Sequence, residues 1–191
     1  MSTMNRIVSI ILRPGKEWEF ISRETMTVGA LSLNVIVPLC LIPAVATAIG
    51  MNFFDTGWDA LHGYTLPKEK ILGIGAANFV FAVLSVFMLA LIFHFLAPVE
   101  SHVRKPFSDA LKVAAFGSIP VLLAGVFLVL PVMIMLTLVA AVHSLFLYNI
   151  GLKKVLRVPE SESAMLLAIA IVMLCVSSAV MGAMASKLGV F

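Results

Sequence analysis

The chain has 191 residues, 61% of them hydrophobic and only 12% charged, with a formal net charge of +3. A soluble domain carries about a quarter charged residues, so this composition leaves no room for one, and so small a charge excess argues against nucleic acid as a partner. The deficit is what lipid demands, because a charge at the bilayer centre costs at least about 3 kcal/mol on insertion scales.

Residues 1–27 precede the first long apolar stretch and are amphipathic in pieces. Ile7, Ile10 and Ile11 follow helical spacing, with Arg6 and Arg13 among them. Arg13, Pro14 and Gly15 break that piece, and the apolar run before them is too short for a signal peptide. Trp18 and Ile21 then sit three apart among Lys16, Glu17, Glu19, Arg23 and Glu24. Aromatic and basic residues in this mixture predict an interfacial helix on the inner leaflet. A short helix packed on the bundle is the alternative, and the two are compatible.

Five stretches without Asp, Glu, Lys or Arg follow, at about 28–54, 71–97, 113–130, 132–152 and 164–186. About 20 apolar residues cross the hydrocarbon core as a helix, so each can span. The expected fold is an all-α membrane protein: five transmembrane helices in one domain, 28–191, behind an N-terminal interfacial amphipathic segment, 1–27. Pro38 and Pro43 in span one, and Gly117, Pro120 and Gly125 in span three, predict kinks. Residues 107–152 would be roughly 69 Å long as one helix, more than tilt can absorb across a core of about 30 Å. The chain must therefore turn there, and Pro131 is the natural place.

Basic residues near span ends favour the cytoplasmic side. Arg6, Arg13, Lys16, Arg23, Arg104, Lys105, Lys112, Lys153, Lys154 and Arg157 fall on one side of a five-span serpentine, and Lys68, Lys70 and Lys187 on the other. Ten against three puts the N-terminus in the cytoplasm and the C-terminus outside. The expected location is a bacterial inner membrane, crossed several times.

Few residues offer chemistry. In the external loop, Asp55, Asp59 and His62 have i, i+4, i+7 spacing and are weak candidates for a divalent cation; a solvated loop with interfacial aromatics is the plainer account. His94 and His143 lie in or beside spans, and an ionisable group at membrane depth is a functional candidate by default. With Asn78 and Asn149 they form the candidate transport path, while interhelix hydrogen bonding is the plainer role. Cys40 and Cys175 sit in different apolar stretches without ligand partners and read as small hydrophobes. Ser178, Gly182 and Ser186, four apart, allow close helix approach, within the bundle or in a homo-oligomer. No GxSxG, HExxH or GxxxxGK[ST] motif is present, so neither an enzyme nor a cofactor is expected.

Three features together resemble the Yip family, the Ypt/Rab-interacting five-span membrane proteins, and especially its bacterial members. They are Ile11-Leu12-Arg13-Pro14-Gly15-Lys16-Glu17-Trp18 before span one, the Pro120 and Pro131 pair, and Tyr148-Asn149-Ile150-Gly151-Leu152-Lys153-Lys154-Val155-Leu156 followed by Val158-Pro159-Glu160. The chain departs from the family at Ser161-Glu162-Ser163, where a lysine and then Gly-Tyr often stand. The resemblance implies partner binding: eukaryotic members act in vesicle traffic and bind Rab-type GTPases and one another.

The leading expectation is a non-enzymatic protein that organises the membrane or binds a partner or lipid at its cytoplasmic face. Its candidate contacts there are Trp18, Lys153, Lys154, Arg157 and Glu160. Beyond the bilayer itself, the expected partners are anionic lipids, drawn by the Lys153–Lys154–Arg157 cluster at about 1 kcal/mol per basic residue, and another membrane protein. The rival is a small channel or carrier for an ion, solute or lipid, built on His143, Asn149, Asn78 and His94.

Overall fold

The computed structural model describes residues 3–54, 67–97, 105–130 and 133–187, and these residues form helices joined by short turns. In chain order they are α1 (Thr3–Leu12), α2 (Pro14–Arg23), α3 (Val28–Leu31), a π turn at Ser32–Ile36, α4 (Val37–Phe54), α5 (Lys68–Leu96), α6 (Phe107–Gly117), α7 (Ile119–Ala124), a 3₁₀ turn at Gly125–Val129, α8 (Ile134–Gly151), a second π turn at Leu152–Leu156 and α9 (Glu160–Lys187). Lipid cannot hydrogen-bond a bare backbone, so helices that satisfy themselves are the expected solution.

Four helical segments are long and apolar enough to cross a membrane: Val28–Phe53, Lys68–Leu96, Phe107–Val129 and Met135–Leu156. The last three differ at their ends from the apolar stretches read from the sequence. The third begins six residues early and takes Lys112 into the helix. The fourth runs on through Lys153 and Lys154.

Prolines shape two of these segments. Pro38 has no N–H, and its ring clashes with the carbonyl four residues back. That carbonyl belongs to Asn34, inside the π turn, where wider winding accommodates the clash. In the third segment, Pro120 forces the break between α6 and α7 at Ser118. The turn expected near Pro131 is bracketed by the described residues: Leu130 leaves the helical conformation and α8 starts at Ile134. Pro131 itself lies outside them.

The third segment is the centre of the bundle. Every residue from Ala110 to Pro120 is buried, as expected of a helix enclosed on all sides. α4 and α5 pack together, α5 packs on α6, and α8 packs on α6 and α7. α9 lies against α5 and α8. The outer faces carry exposed Leu33, Leu72, Val139, Val142 and Val172, which suits lipid.

The N-terminal helices fold onto this bundle. Arg13 leaves the helical region ahead of Pro14 (φ −136°, ψ 59°), because proline disfavours the α conformation in the preceding residue. The chain therefore turns back, and α2 packs against α8 and the second π turn.

Close approaches hold the helices in register. A Cβ on Gly117 would run into the Tyr148 ring, and that ring is held by a 2.7 Å hydrogen bond between its hydroxyl and Ser118 Oγ. Gly117→Ala is expected to cost about 1–3 kcal/mol by overpacking, measured as unfolding of the purified protein. Nothing lies within 4 Å of a Cβ on Gly29, so Gly29→Ala in the same assay is expected to be neutral or to stabilise by about 0.4–1 kcal/mol.

Candidate functional site

Polar side chains gather at the end of the bundle where α1 and α2 cap the start of span one, the start of α6 and the end of α8. Trp18 is fully buried there. A Cβ on Gly151 would lie 2.9 Å from the Trp18 ring, and the ring meets Phe116 edge-on at 6.5 Å between centroids. The Trp18 ring is thus covered by protein. Its indole N–H has no acceptor among the described residues. Ile10 and Ile21 are also fully buried, while Val8, Leu12 and Phe20 stay exposed on the outer faces of α1 and α2.

An ion network ties this cap down. Arg6 Nη1 lies 2.7 Å from Glu24 Oε2, and Arg6 Nε lies 3.3 Å from Glu17 Oε1. The second contact lacks hydrogen-bond geometry, leaving both of its atoms without a hydrogen-bond partner. The guanidinium carbon also stands 6.0 Å from the Phe116 ring centre, within cation–π range. Glu17 is only 4% exposed and Lys112 only 3%. Lys112 Nζ donates to Asp109 Oδ1 at 2.7 Å and to the Glu24 carbonyl at 2.6 Å. Lys112, read from the sequence as a loop charge, is thus a buried strut between span three and the α2–α3 link.

The Arg6–Glu17–Glu24 and Lys112–Asp109 groups were not singled out as a site from the sequence. One signal was present: Asp109 and Lys112 stand three apart, the spacing of a helical ion pair.

The basic cluster lies on the second π turn. Lys153 and Lys154 are in its winding, and Arg157 ends it in the left-handed region at φ 56°. Lys153 Nζ donates to Glu160 Oε1 at 2.5 Å, and Lys154 Nζ is 4.0 Å from Glu19 Oε2. Lys153 thus pairs with Glu160, and Lys154 lies near α2 through Glu19.

The transport-path candidates lie on α5 and α8. Asn78 on α5 donates to Thr47 Oγ1 on α4 at 2.9 Å, an interhelix bond of the plainer kind. His94 is sixteen residues further along α5, about 24 Å at 1.5 Å per residue. Its ring sits 5.2 Å from Phe95 and 5.8 Å from Phe107. His143 and Asn149 are both on α8, with His143 6.2 Å from Phe146. His94 Nδ1, His143 Nε2 and Asn149 Oδ1 are buried and find no partner among the described residues. Asp55, Asp59 and His62 lie outside the described residues, among which no cluster fits a metal ion. Cys40 and Cys175 are both free thiols.

Four long apolar helical segments among the described residues, the third of them the most buried, with a polar cap at one end, define a multi-pass membrane protein. Comparison by family sharpens this: the model of the Yip1 domain matches residues 8–182, and the chain belongs to that family. No curated protein and no solved structure gave a match.

The Lys153–Glu160 contact sets a pH dependence. The hydrogen bond from Lys153, then its positive charge, holds the Glu160 carboxyl below its usual value of 4.5. A carboxyl depressed in the folded state adds stability above its unfolded pKa and loses it as pH falls through the folded value. Lys153→Met is expected to raise the Glu160 titration toward 4.5, read from the side-chain carboxyl carbon shift against pH.

Proposed function

We propose that this Yip-family protein is a non-enzymatic, five-span protein of a bacterial inner membrane that organises the membrane or captures a lipid or protein partner at its cytoplasmic face. The fifth span is α9, whose 28 residues give about 42 Å of helix. By the five-span serpentine read from the sequence, ten basic residues fall on one side and three on the other, which supports a cytoplasmic N-terminus and an external C-terminus.

The observation that carries the functional reading is the gathering of buried and exposed charged side chains where α1 and α2 cap the bundle. At that end Lys153, Lys154 and Glu160 stand outside the core, and Glu160 is 88% exposed. A surface of this kind attracts anionic lipid or an acidic partner.

A small channel or carrier is the second reading. It is favoured by His143 Nε2 and Asn149 Oδ1, buried on α8 with no hydrogen-bond partner among the described residues, since such groups at membrane depth often serve a pathway. A proton, ion or solute flux in vesicles that His143→Ala abolishes would decide for it.

Neutralising Lys153, Lys154 and Arg157 to Gln tests the first reading. At about 1 kcal/mol per basic residue, the triple variant is expected to lower enrichment of anionic lipid around the reconstituted protein by up to about a hundredfold at low salt. Unchanged lipid enrichment, together with unchanged capture of membrane partners, overturns the proposal.

A further inference from the structure

A cavity of about 390 Å³ opens between α1, the link from α2 to α3, and the first turns of span one. Small-molecule sites begin at about 300 Å³. The Arg6–Glu24 ion pair, Thr25 and Thr27 supply its polar lining. Leu31, Val35 and Phe116, all buried, supply much of its apolar lining.

Asn34 also lines the cavity, and it sits in the π turn that Pro38 imposes on span one. Its side chain is exposed and makes no hydrogen bond to any described residue. An amide at this depth in an apolar span calls for a polar neighbour that protein does not supply.

The charges identify the occupant. Arg6 already faces two carboxylates, Glu17 and Glu24, so the wall is not a trap for a simple anion. A guanidinium has five N–H donors, and the two contacts use Nε and Nη1. The Arg6 side chain is 16% exposed and that of Glu24 46%, so the pair stays open to the cavity. The wall thus offers a donor for a phosphate oxygen beside an acceptor for an ammonium. A quaternary ammonium has no N–H and is held by aromatic cages. A carboxylate with hydroxyls close by instead suits a primary ammonium.

We infer that this cavity binds the phosphoethanolamine headgroup of a bilayer lipid, with its phosphate on Arg6 and its ammonium on Glu24. The glycerol and first methylenes lie along Leu31 and Val35. The inference deepens the lipid-binding reading above, and rests on it in placing this end of the bundle at the membrane–water interface.

The test uses the full chain in phosphatidylcholine nanodiscs doped equally with phosphatidylethanolamine and phosphatidylglycerol. Retained lipids are counted by native mass spectrometry. Phosphatidylethanolamine is expected to be enriched about tenfold over the other two, as two charge-assisted bonds would give. Glu24→Gln and Ala30→Leu, each checked for unchanged thermal unfolding, bring retention to parity. Ala30 lines the cavity but takes no part in the ion network, so its variant separates occupancy from folding. Equal retention of all three lipids, preference for phosphatidylglycerol, or enrichment that survives both substitutions overturns the inference. Displacement by soluble phosphoethanolamine at equal concentration also overturns the lipid as occupant. The Lys153, Lys154 and Arg157 variant is read on anionic lipid, so each idea can fail while the other stands.

Discussion

The seating of Trp18 is the contact on which the rest of the polar end depends. A buried Trp contributes on the order of 3–5 kcal/mol, judged by truncation. Here its ring occupies the space left by Gly151 and meets Phe116. That single ring joins α2 to α8 and to α6, the enclosed helix at the centre. With α2 fixed, Glu17 and Glu24 come within reach of Arg6, and the Glu24 carbonyl within reach of Lys112.

The ion network follows from that seating rather than causing it. Charges buried this far need partners, because removing one partner of a buried pair costs about 3–5 kcal/mol. Glu17 and Lys112 have theirs. The network therefore satisfies charges that the seating of Trp18 has already buried, and it leaves one wall of the cavity carrying a cation and a carboxylate together. Fold and candidate site thus share the same residues at this end.

Two departures from regular α winding place the polar groups. Pro38 obliges the π turn that puts Asn34 on the cavity, and the second π turn carries Lys153 and Lys154 to the bundle's edge. π segments inside helices recur at functional sites. Here each lies at the same polar end as the cap.

Apolar run length and proline placement were enough to read a multi-pass helical protein and the irregular winding of the third segment around Pro120. These properties are local: transfer into lipid is summed along a segment, and a proline acts on its own turn. The sequence could not tell that Trp18 is covered by protein, that Lys112 is a buried strut, that Asn78 is satisfied by Thr47, or that Arg6 and Glu24 border a cavity. Each of those depends on which helix comes to lie against which. That is decided by close approach at positions such as Gly117 and Gly151, and by partners up to 88 residues apart in the chain, a separation that no periodicity records.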